Sequence, residues 1–288
     1  MLPEYIDLPV KIRFYYEIDP RFFWQIMNSL IDSHCHIDFR QFDATRASTL
    51  EACRRRGMEA IVVPGVSVRQ WPDMDHALAR YADSRRYPRL LPTYGLHPCF
   101  MIEHRPEHLG ALEQQLGRGA VAVGEIGLDS FYGDQDLDQQ LALFTAQIAI
   151  AKNHSLPVLI HSRKTQDLIL KTLRQQRFEC GGIMHAFSGS LQQAQQACEL
   201  GFKIGFGGAA TYARATRLRK IFSSLPSEAI VFETDAPDIP PCFARDQPNS
   251  PLNLFQIVQI LSELREEGED ELIRLSSQNV VDILNIAA

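Results

Sequence analysis

The sequence has no cysteine pair with C-x-x-C spacing and no apolar stretch near the roughly 20 residues that span a bilayer. Its first 27 residues mix charged and aromatic side chains without an uninterrupted apolar segment, so they lack the pattern of a secretory signal. These absences predict a cytoplasmic protein with no membrane segment. Thiols stay reduced in that compartment, so we expect no disulfides among the six cysteines, at positions 35, 53, 99, 180, 198 and 242.

Positive charge is also scarce. Lys and Arg number 29 against 35 Asp and Glu, the net charge is -6, and no extended basic block offsets it. These numbers exclude a protein that grips nucleic acid through a broad basic groove. Any nucleic-acid substrate must be held locally, by metal ions and a few side chains. Nothing in the sequence indicates an obligate protein partner.

The length of 288 residues and the hydrophobic content of 45% suit one α/β barrel domain. We predict this domain over residues 28–288 and an N-terminal extension over residues 1–27. Two hypotheses account for the extension. Either its aromatic side chains pack on the barrel, or the chain is translated from upstream of a start at Met27.

Short apolar segments alternate with longer segments of helical spacing, such as 135–153, 190–200 and 211–223. Near-continuous apolar strands separated by helices are typical of a parallel sheet covered by helices, and eight repeats indicate closure into a barrel. The predicted fold is therefore α/β, a single-domain (β/α)8 TIM barrel with extra C-terminal helices. The predicted strands are 29–34, 60–66, 90–96, 120–127, 156–162, 181–187, 202–208 and 229–235.

Side chains that commonly bind metals recur where these apolar segments end. An isolated histidine at a strand end is more often a hydrogen-bonded core or rim residue. Here that explanation would have to hold four times, beside two carboxylates in apolar surroundings where an unpaired charge is costly. A βα barrel brings the C-terminal ends of all its strands to one mouth. The six candidate ligands are His34, His36, Glu125, His161, His185 and Asp235.

Four imidazoles and two carboxylates exceed the three protein ligands of a catalytic zinc, so they predict two divalent ions. Mixed nitrogen and oxygen ligands suit zinc, manganese or iron, and magnesium less readily. His34 and His36 face one side because they lie at i and i+2 of a strand. Asp235 is on strand eight, which is adjacent to strand one, so strand order assigns these three residues to one half-site. It assigns His161 and His185 to the other half-site, with Glu125 shared between the two.

An ion pair of this kind activates water for hydrolysis. Asp235 is then either the base that takes the proton from this water or a metal ligand alone.

Other polar residues near the predicted mouth are candidates for substrate binding. His97 ends the third strand and Arg163 follows His161 by two residues, so both are predicted to contact substrate, with a salt bridge as the alternative for Arg163. Asp129 is expected to cap a turn rather than to orient a ligand. Gly207 and Gly208 lie where barrels often bind phosphate through backbone N–H groups, although a tight turn explains them equally well. The histidines expected at the surface are His76, His104, His108 and His154.

Seven motifs occur in the order DSHCHID, YGLHP, VGEIGLD, IHSR, HAFSGS, IGFGG and ETDAPD. Together they resemble the TatD-type metal-dependent deoxyribonuclease family of the amidohydrolase-like superfamily, and HSR, FSGSLQQA and QPNSP are most similar to its YjjV-like branch. The resemblance runs from about Leu30 to the C-terminus. It implies a TIM barrel, places the six candidate ligands at the family's metal-binding positions, and implies divalent-metal nuclease activity with 3′-to-5′ exonuclease action on DNA.

The chain departs from this family pattern in two places. Ala186 stands where much of the family has Cys, which should leave metal ligation unchanged. Gln247-Pro248-Asn249 stands where many members carry Arg before the Asn, so a possible phosphate contact is missing.

Three functions are therefore weighed. The leading hypothesis is a metal-dependent phosphodiesterase that acts on DNA ends. The second is a hydrolase of a small amide, ester or phosphoester, which the acidic surface and the missing Arg favour. The third is a metal-binding interaction protein without catalysis, against which the complete set of six ligands argues.

Overall fold

Eight parallel strands follow one another around a single sheet in the computed structural model, which describes residues 29–131 and 136–286. The strands are β1 (Leu30–Asp32), β2 (Met58–Pro64), β3 (Arg89–Tyr94), β4 (Ala122–Asp129), β5 (Val158–Arg163), β6 (Gly182–Met184), β7 (Phe202–Phe206) and β8 (Ile230–Phe232).

Helices alternate with these strands, and two of them follow β8. Within the described residues they are α1 (Arg46–Arg55), α2 (Trp71–Arg80), α3 (His108–Leu116), α4 (Leu137–Asn153), α5 (Gln166–Gln175), α6 (Leu191–Glu199), α7 (Thr216–Ser224), α8 (Leu254–Ser262) and α9 (Glu269–Leu284). The predicted (β/α)8 TIM barrel with additional C-terminal helices is confirmed, and each predicted strand overlaps one observed strand.

Two apolar layers hold the barrel together. The outer layer lies between the strands and the helices and includes Phe144 and Ile148 of α4, which are fully buried. The inner layer fills the barrel interior, where Val280 and Leu284 of α9 join it to residues from seven strands. Because the strands are buried on both faces, they are nearly continuous apolar runs. The strand residues of the inner layer are Ile31, Ala60, Val62, Leu91, Ala122, Leu159, Ile183 and Val231.

The seam between β1 and β8 closes the barrel in an unusual way. Two serines of α9 accept backbone hydrogen bonds there: Ile31 N donates to Ser277 Oγ at 3.1 Å and Phe232 N donates to Ser276 Oγ at 2.9 Å. Ser33, the first residue after β1, donates its N–H to the carbonyl oxygen of Phe232, the last residue of β8, at 3.0 Å. The helix therefore supplies acceptors to strand N–H groups that would otherwise be buried without a partner.

The observed end of β1 corrects the predicted position of two histidines. β1 ends at Asp32, so His34 and His36 follow the strand instead of lying in it, and strand alternation is the wrong reason for their shared direction. The segment is held on both sides, because Cys35 N donates to Val62 O and His36 N donates to Ala236 O. These bonds aim the two histidines at the mouth.

Two other predictions meet limits set by the described residues. The predicted extension over residues 1–27 lies outside them. Among residues 29–131 and 136–286, no helix combines the length and apolar character that a membrane crossing needs. The six cysteines are free thiols.

Candidate metal centre

The candidate ligands gather at the C-terminal mouth of the barrel, around a cavity of about 650 Å³. Five of them line this cavity: His36, Glu125, His161, His185 and Asp235. His34 lies behind them and is fully buried. All six predicted residues are thus brought together, although they come from five separate strands or the segments that follow them, with Glu125 inside β4.

The first cluster consists of His34, His36 and Asp235. The Nε2 atoms of His34 and His36 are 3.3 Å apart, and Asp235 Oδ1 lies 3.6 Å from the first and 3.9 Å from the second. Glu125 Oε2 approaches the same pair, at 3.3 Å from His34 Nε2 and 3.6 Å from His36 Nε2. These three side chains are the ones that strand order groups together, and their role as one metal half-site stays a prediction.

The second cluster consists of Glu125, His161 and His185. Glu125 Oε1 lies 3.2 Å from His161 Nδ1 and 3.8 Å from His185 Nε2. One oxygen of Glu125 therefore faces each cluster. Ring stacking joins the two, since the centroids of His34 and His185 are 3.5 Å apart with planes 15° from parallel.

The donor set fits divalent cations. A tetrahedral ion with bonds of about 2.1 Å holds its ligands about 3.4 Å apart, and most separations within the first cluster are close to that value. In the described residues, the ion pairs of Glu125 and Asp235 are all to histidines, so no permanent cation of the chain balances these carboxylates. Bound cations would supply the missing charge.

Burial and mutual contact set the protonation of the cluster. Burial lowers the pKa of His34 well below its usual range, which leaves a neutral imidazole able to act as a ligand. Burial alone would raise the pKa of Glu125, but His97 and His34 hold that pKa well below its usual range. Burial raises the pKa of Asp235 to about 8, against the opposing charge of His185. The shared carboxylate is therefore ionised, whereas burial favours the protonated form of Asp235 while no cation is bound.

Buried hydrogen bonds between the ends of β1 and β8 position the first cluster. Asp32 Oδ2 accepts from the Thr234 hydroxyl at 2.6 Å, and Asp32 Oδ1 accepts from Thr234 N at 3.0 Å and His34 N at 3.2 Å. Asn249 Nδ2 then donates to Thr234 O at 2.7 Å. These bonds fix the backbone on either side of His34 and Asp235.

Carboxylates stand behind both histidines of the second cluster. His161 Nε2 lies 2.9 Å from Asp129 Oδ2, and His185 Nδ1 lies 3.3 Å from Glu233 Oε1. Asp129 Oδ1 also accepts from Phe131 N at 2.8 Å, so Asp129 both caps the predicted turn and contacts a candidate ligand. Sequence reasoning did not assign Glu233 a role, although its position two residues before Asp235 was a usable signal.

The two predicted substrate-binding residues also line the cavity. His97 Nε2 lies 3.2 Å from Glu125 Oε1, so His97 is close enough to the second cluster to act as a further ligand there. The Arg163 guanidinium lies over the Phe131 ring, 3.5 Å from its centroid, at the rim. Contact of either residue with a substrate stays a prediction.

His104 contradicts its predicted surface position. It is 9% exposed, and its Nε2 lies 2.9 Å from His97 O. It thus supports the loop that carries His97. Gly207 and Gly208 line the cavity, but a Cβ at Gly207 would come within 2.6 Å of Glu233 O. Close backbone approach therefore explains this glycine without a phosphate.

Known proteins are similar in sequence to this chain over most of its length. The sequence matches the family model described as TatD related DNase over residues 31–285. Escherichia coli K12 YjjV, named an uncharacterized metal-dependent hydrolase, is 37% identical over 259 residues, which cover 89% of this chain and 98% of YjjV. Bacillus subtilis YabD, named in the same way, is 28% identical over 259 residues, 89% of this chain and 99% of YabD.

Solved structures show the same likeness. The crystal structure of E. coli YjjV, described as a TatD homologue, has a TM-score of 0.83 to this chain at 37% identity and covers 91% of this chain and 100% of its own. A TatD-family hydrolase from Entamoeba histolytica shares the fold, with a TM-score of 0.76 at 20% identity over 89% of this chain and 98% of its own.

Proposed function

Because this chain is a metal-dependent hydrolase that belongs to the TatD related DNase family, we propose that it hydrolyses phosphodiester bonds at the ends of DNA strands. The proposed action is that of an exonuclease on single strands, with mononucleotides released from the 3′ end. The 3′-to-5′ direction is taken from the family resemblance. The proposed site holds two divalent ions.

One observation carries the proposal: two ligand clusters share Glu125 inside a cavity at the barrel mouth. Bound at these clusters, two divalent ions would activate water and stabilise charge on the reacting phosphate and its leaving group. His34, His36 and Asp235 would hold one ion, and His161 and His185 the other. Glu125 would contribute one oxygen to each.

The chain's own groups account for the remaining steps. Asp235 has one side-chain oxygen within 3.6 Å of both His34 and His185, which places a carboxylate at the metal edge to take the proton from the attacking water. Arg163 is positioned at the rim to bind a phosphate oxygen. The Phe131 ring, which is 43% exposed, lies against the guanidinium and holds Arg163 in this position.

The burial of the candidate ligands favours chain ends as the substrate. The candidate ligands are nearly buried in the cavity, whereas attack in the middle of a long strand would need a groove open at both sides. A terminal nucleotide enters such a cavity without bending the rest of the strand. An exonuclease is therefore better matched to this cavity than an endonuclease.

A direct assay tests the proposal. The full chain is incubated with a 5′-labelled single-stranded oligonucleotide and added Mg²⁺, Mn²⁺ or Zn²⁺, and products are resolved by length. We expect stepwise shortening of the labelled strand, reduced by about 10²–10⁴-fold in Asp235→Asn, since general base catalysis has that magnitude. If the protein binds ions but leaves every oligonucleotide intact, the deoxyribonuclease assignment is wrong.

The net charge of -6 favours a second candidate, the hydrolysis of a small ester, amide or phosphoester. Arg163 is the one Lys or Arg that lines the cavity within the described residues, which is little positive charge for a long polyanion. A panel of oligonucleotides, phosphomonoesters, lactones and cyclic amides separates the two candidates. Turnover of a small substrate at more than tenfold higher kcat/KM than any oligonucleotide would favour the second.

A further inference from the structure

The two ligand clusters are built by different means. In the second cluster, each histidine has a carboxylate at the ring nitrogen that points away from Glu125. Asp129 Oδ2 lies 2.9 Å from His161 Nε2, and Glu233 Oε1 lies 3.3 Å from His185 Nδ1. Both carboxylates are nearly buried, at 2% and 1% exposure, and Glu233 is further held by Ala186 N, which donates to it at 2.6 Å.

The first cluster has no such support within the described residues. Every ion pair of His34 and His36 in that part of the chain is made through Nε2, so no carboxylate lies behind their Nδ1 atoms. These rings are placed by the backbone and by packing instead. His34 N donates to Asp32 Oδ1, and the His36 ring stacks on Phe39 with centroids 4.4 Å apart.

This difference has a physical consequence for ion binding. A carboxylate behind a histidine fixes the ring orientation, keeps the proton on the far nitrogen and directs the lone pair of the near nitrogen toward the ion. Loss of such a partner typically weakens metal affinity 10–100-fold. In the first cluster, hydrogen bonds of Asp32 at the barrel seam hold the backbone, and neither Asp129 nor Glu233 takes part in those bonds.

We propose that Asp129 and Glu233 are positioning residues for the second ion alone, so that the two ions can be removed independently. The inference rests on the proposed two-ion site and deepens it. It assigns the second ion to the β4, β5, β6 and β8 ends, and the first ion to the seam between β1 and β8.

The test measures metal content and affinity instead of activity. Metal-free full-length protein is titrated with Mn²⁺ or Zn²⁺ by calorimetry, and bound metal is counted by elemental analysis after gel filtration. Wild type should bind two ions per chain. Asp129→Asn and Glu233→Gln should keep the affinity for one ion and bind the other 10–100-fold more weakly.

Two further variants serve as controls. Asp246→Asn changes an exposed carboxylate outside the cavity lining, so both affinities should stay as in wild type. His36→Gln should weaken one ion, and combining it with Glu233→Gln should weaken both. Thermal unfolding of each metal-free variant tests whether the fold is retained. If Glu233→Gln does not fold, Asp129→Asn alone decides.

Three results would overturn the proposal: equal weakening of both ions in Asp129→Asn, unchanged binding of both, or a wild type that binds one ion. The first two leave the proposed phosphodiesterase unaffected, because they concern which residues support the ions. The third removes the two-ion site itself, and the oligonucleotide assay then decides separately whether the protein is a nuclease.

Discussion

The serines of α9 that complete the barrel seam provide a sharp test of how the fold is held. Ser276 and Ser277 are 1% and 5% exposed, and their hydroxyl oxygens accept from Phe232 N and Ile31 N. Changing both to Ala removes two acceptors without changing the backbone. Each strand N–H then stays buried with no partner that the described structure can offer.

The magnitude follows from the cost of an unsatisfied buried donor, about 1–3 kcal/mol each. Because each serine satisfies a different N–H group, the double variant should lose more than either single variant, up to about 6 kcal/mol. For a chain of this size, each kcal/mol lowers the Tm by about 2–4 °C. A single variant should therefore lose about 2–12 °C.

Calorimetry and urea denaturation of metal-free protein measure this loss. Ser224→Ala is the matched control, since that exposed hydroxyl donates within its own helix to Lys220 O at 2.7 Å and should change stability by no more than about 0.5 kcal/mol. The affinity for metal ions should not change, because the bonds between Asp32 and Thr234 hold the seam at the end nearer the ions. A double variant within about 0.5 kcal/mol of wild type would refute the role given to α9.

Further predictions concern the candidate centre. Glu125→Gln should weaken both ions more than tenfold in calorimetric titrations, since both clusters share its carboxylate; wild-type affinity for either ion would contradict the sharing. Arg163→Gln should lower kcat/KM on oligonucleotides about 10–100-fold through the loss of a charge-assisted bond worth about 1.5–3 kcal/mol. Lys164→Gln, a neighbouring cation outside the cavity lining, is the control, and equal losses in both variants would point to general charge instead. Chelation of bound ions should abolish hydrolysis and lower the Tm. Adding an ion back at 100 times its Kd should raise the free energy of unfolding by about 2.7 kcal/mol. A Tm unaffected by chelation would show that the clusters hold no ion.

The sequence was sufficient for the architecture because strand and helix patterns, strand count and side-chain chemistry agreed. It was less sufficient for local geometry. Strand alternation could not explain His34 and His36, since β1 stops at Asp32 and loop hydrogen bonds set their direction. His104 was predicted at the surface because the residues around it in the sequence do not indicate its contact with the carbonyl oxygen of His97.

Positioning residues are hard to find from sequence for a related reason. Glu233 contacts His185, 48 positions earlier in the chain, and Asp129 contacts His161, 32 positions later. Neither spacing is a local motif, so only the closed barrel shows the contact. The ligands were easier to recognise because their chemistry is unusual in apolar strands, whereas a carboxylate behind a ligand has many ordinary explanations.

The residues before Asn249, Gln247 and Pro248, depart from the family pattern without disturbing the loop after β8. Asn249 is buried, and its side-chain amide donates to the carbonyls of Thr234, Asp238 and Ile239, so it holds the loop after β8 that carries Asp235. Gln247 is exposed and outside the cavity lining. The loop can therefore keep its conformation without the Arg that many family members carry nearby. Arg163 is the one Lys or Arg that lines the cavity in the described residues, so Arg163→Gln is the variant expected to lower activity on oligonucleotides more than activity on small substrates.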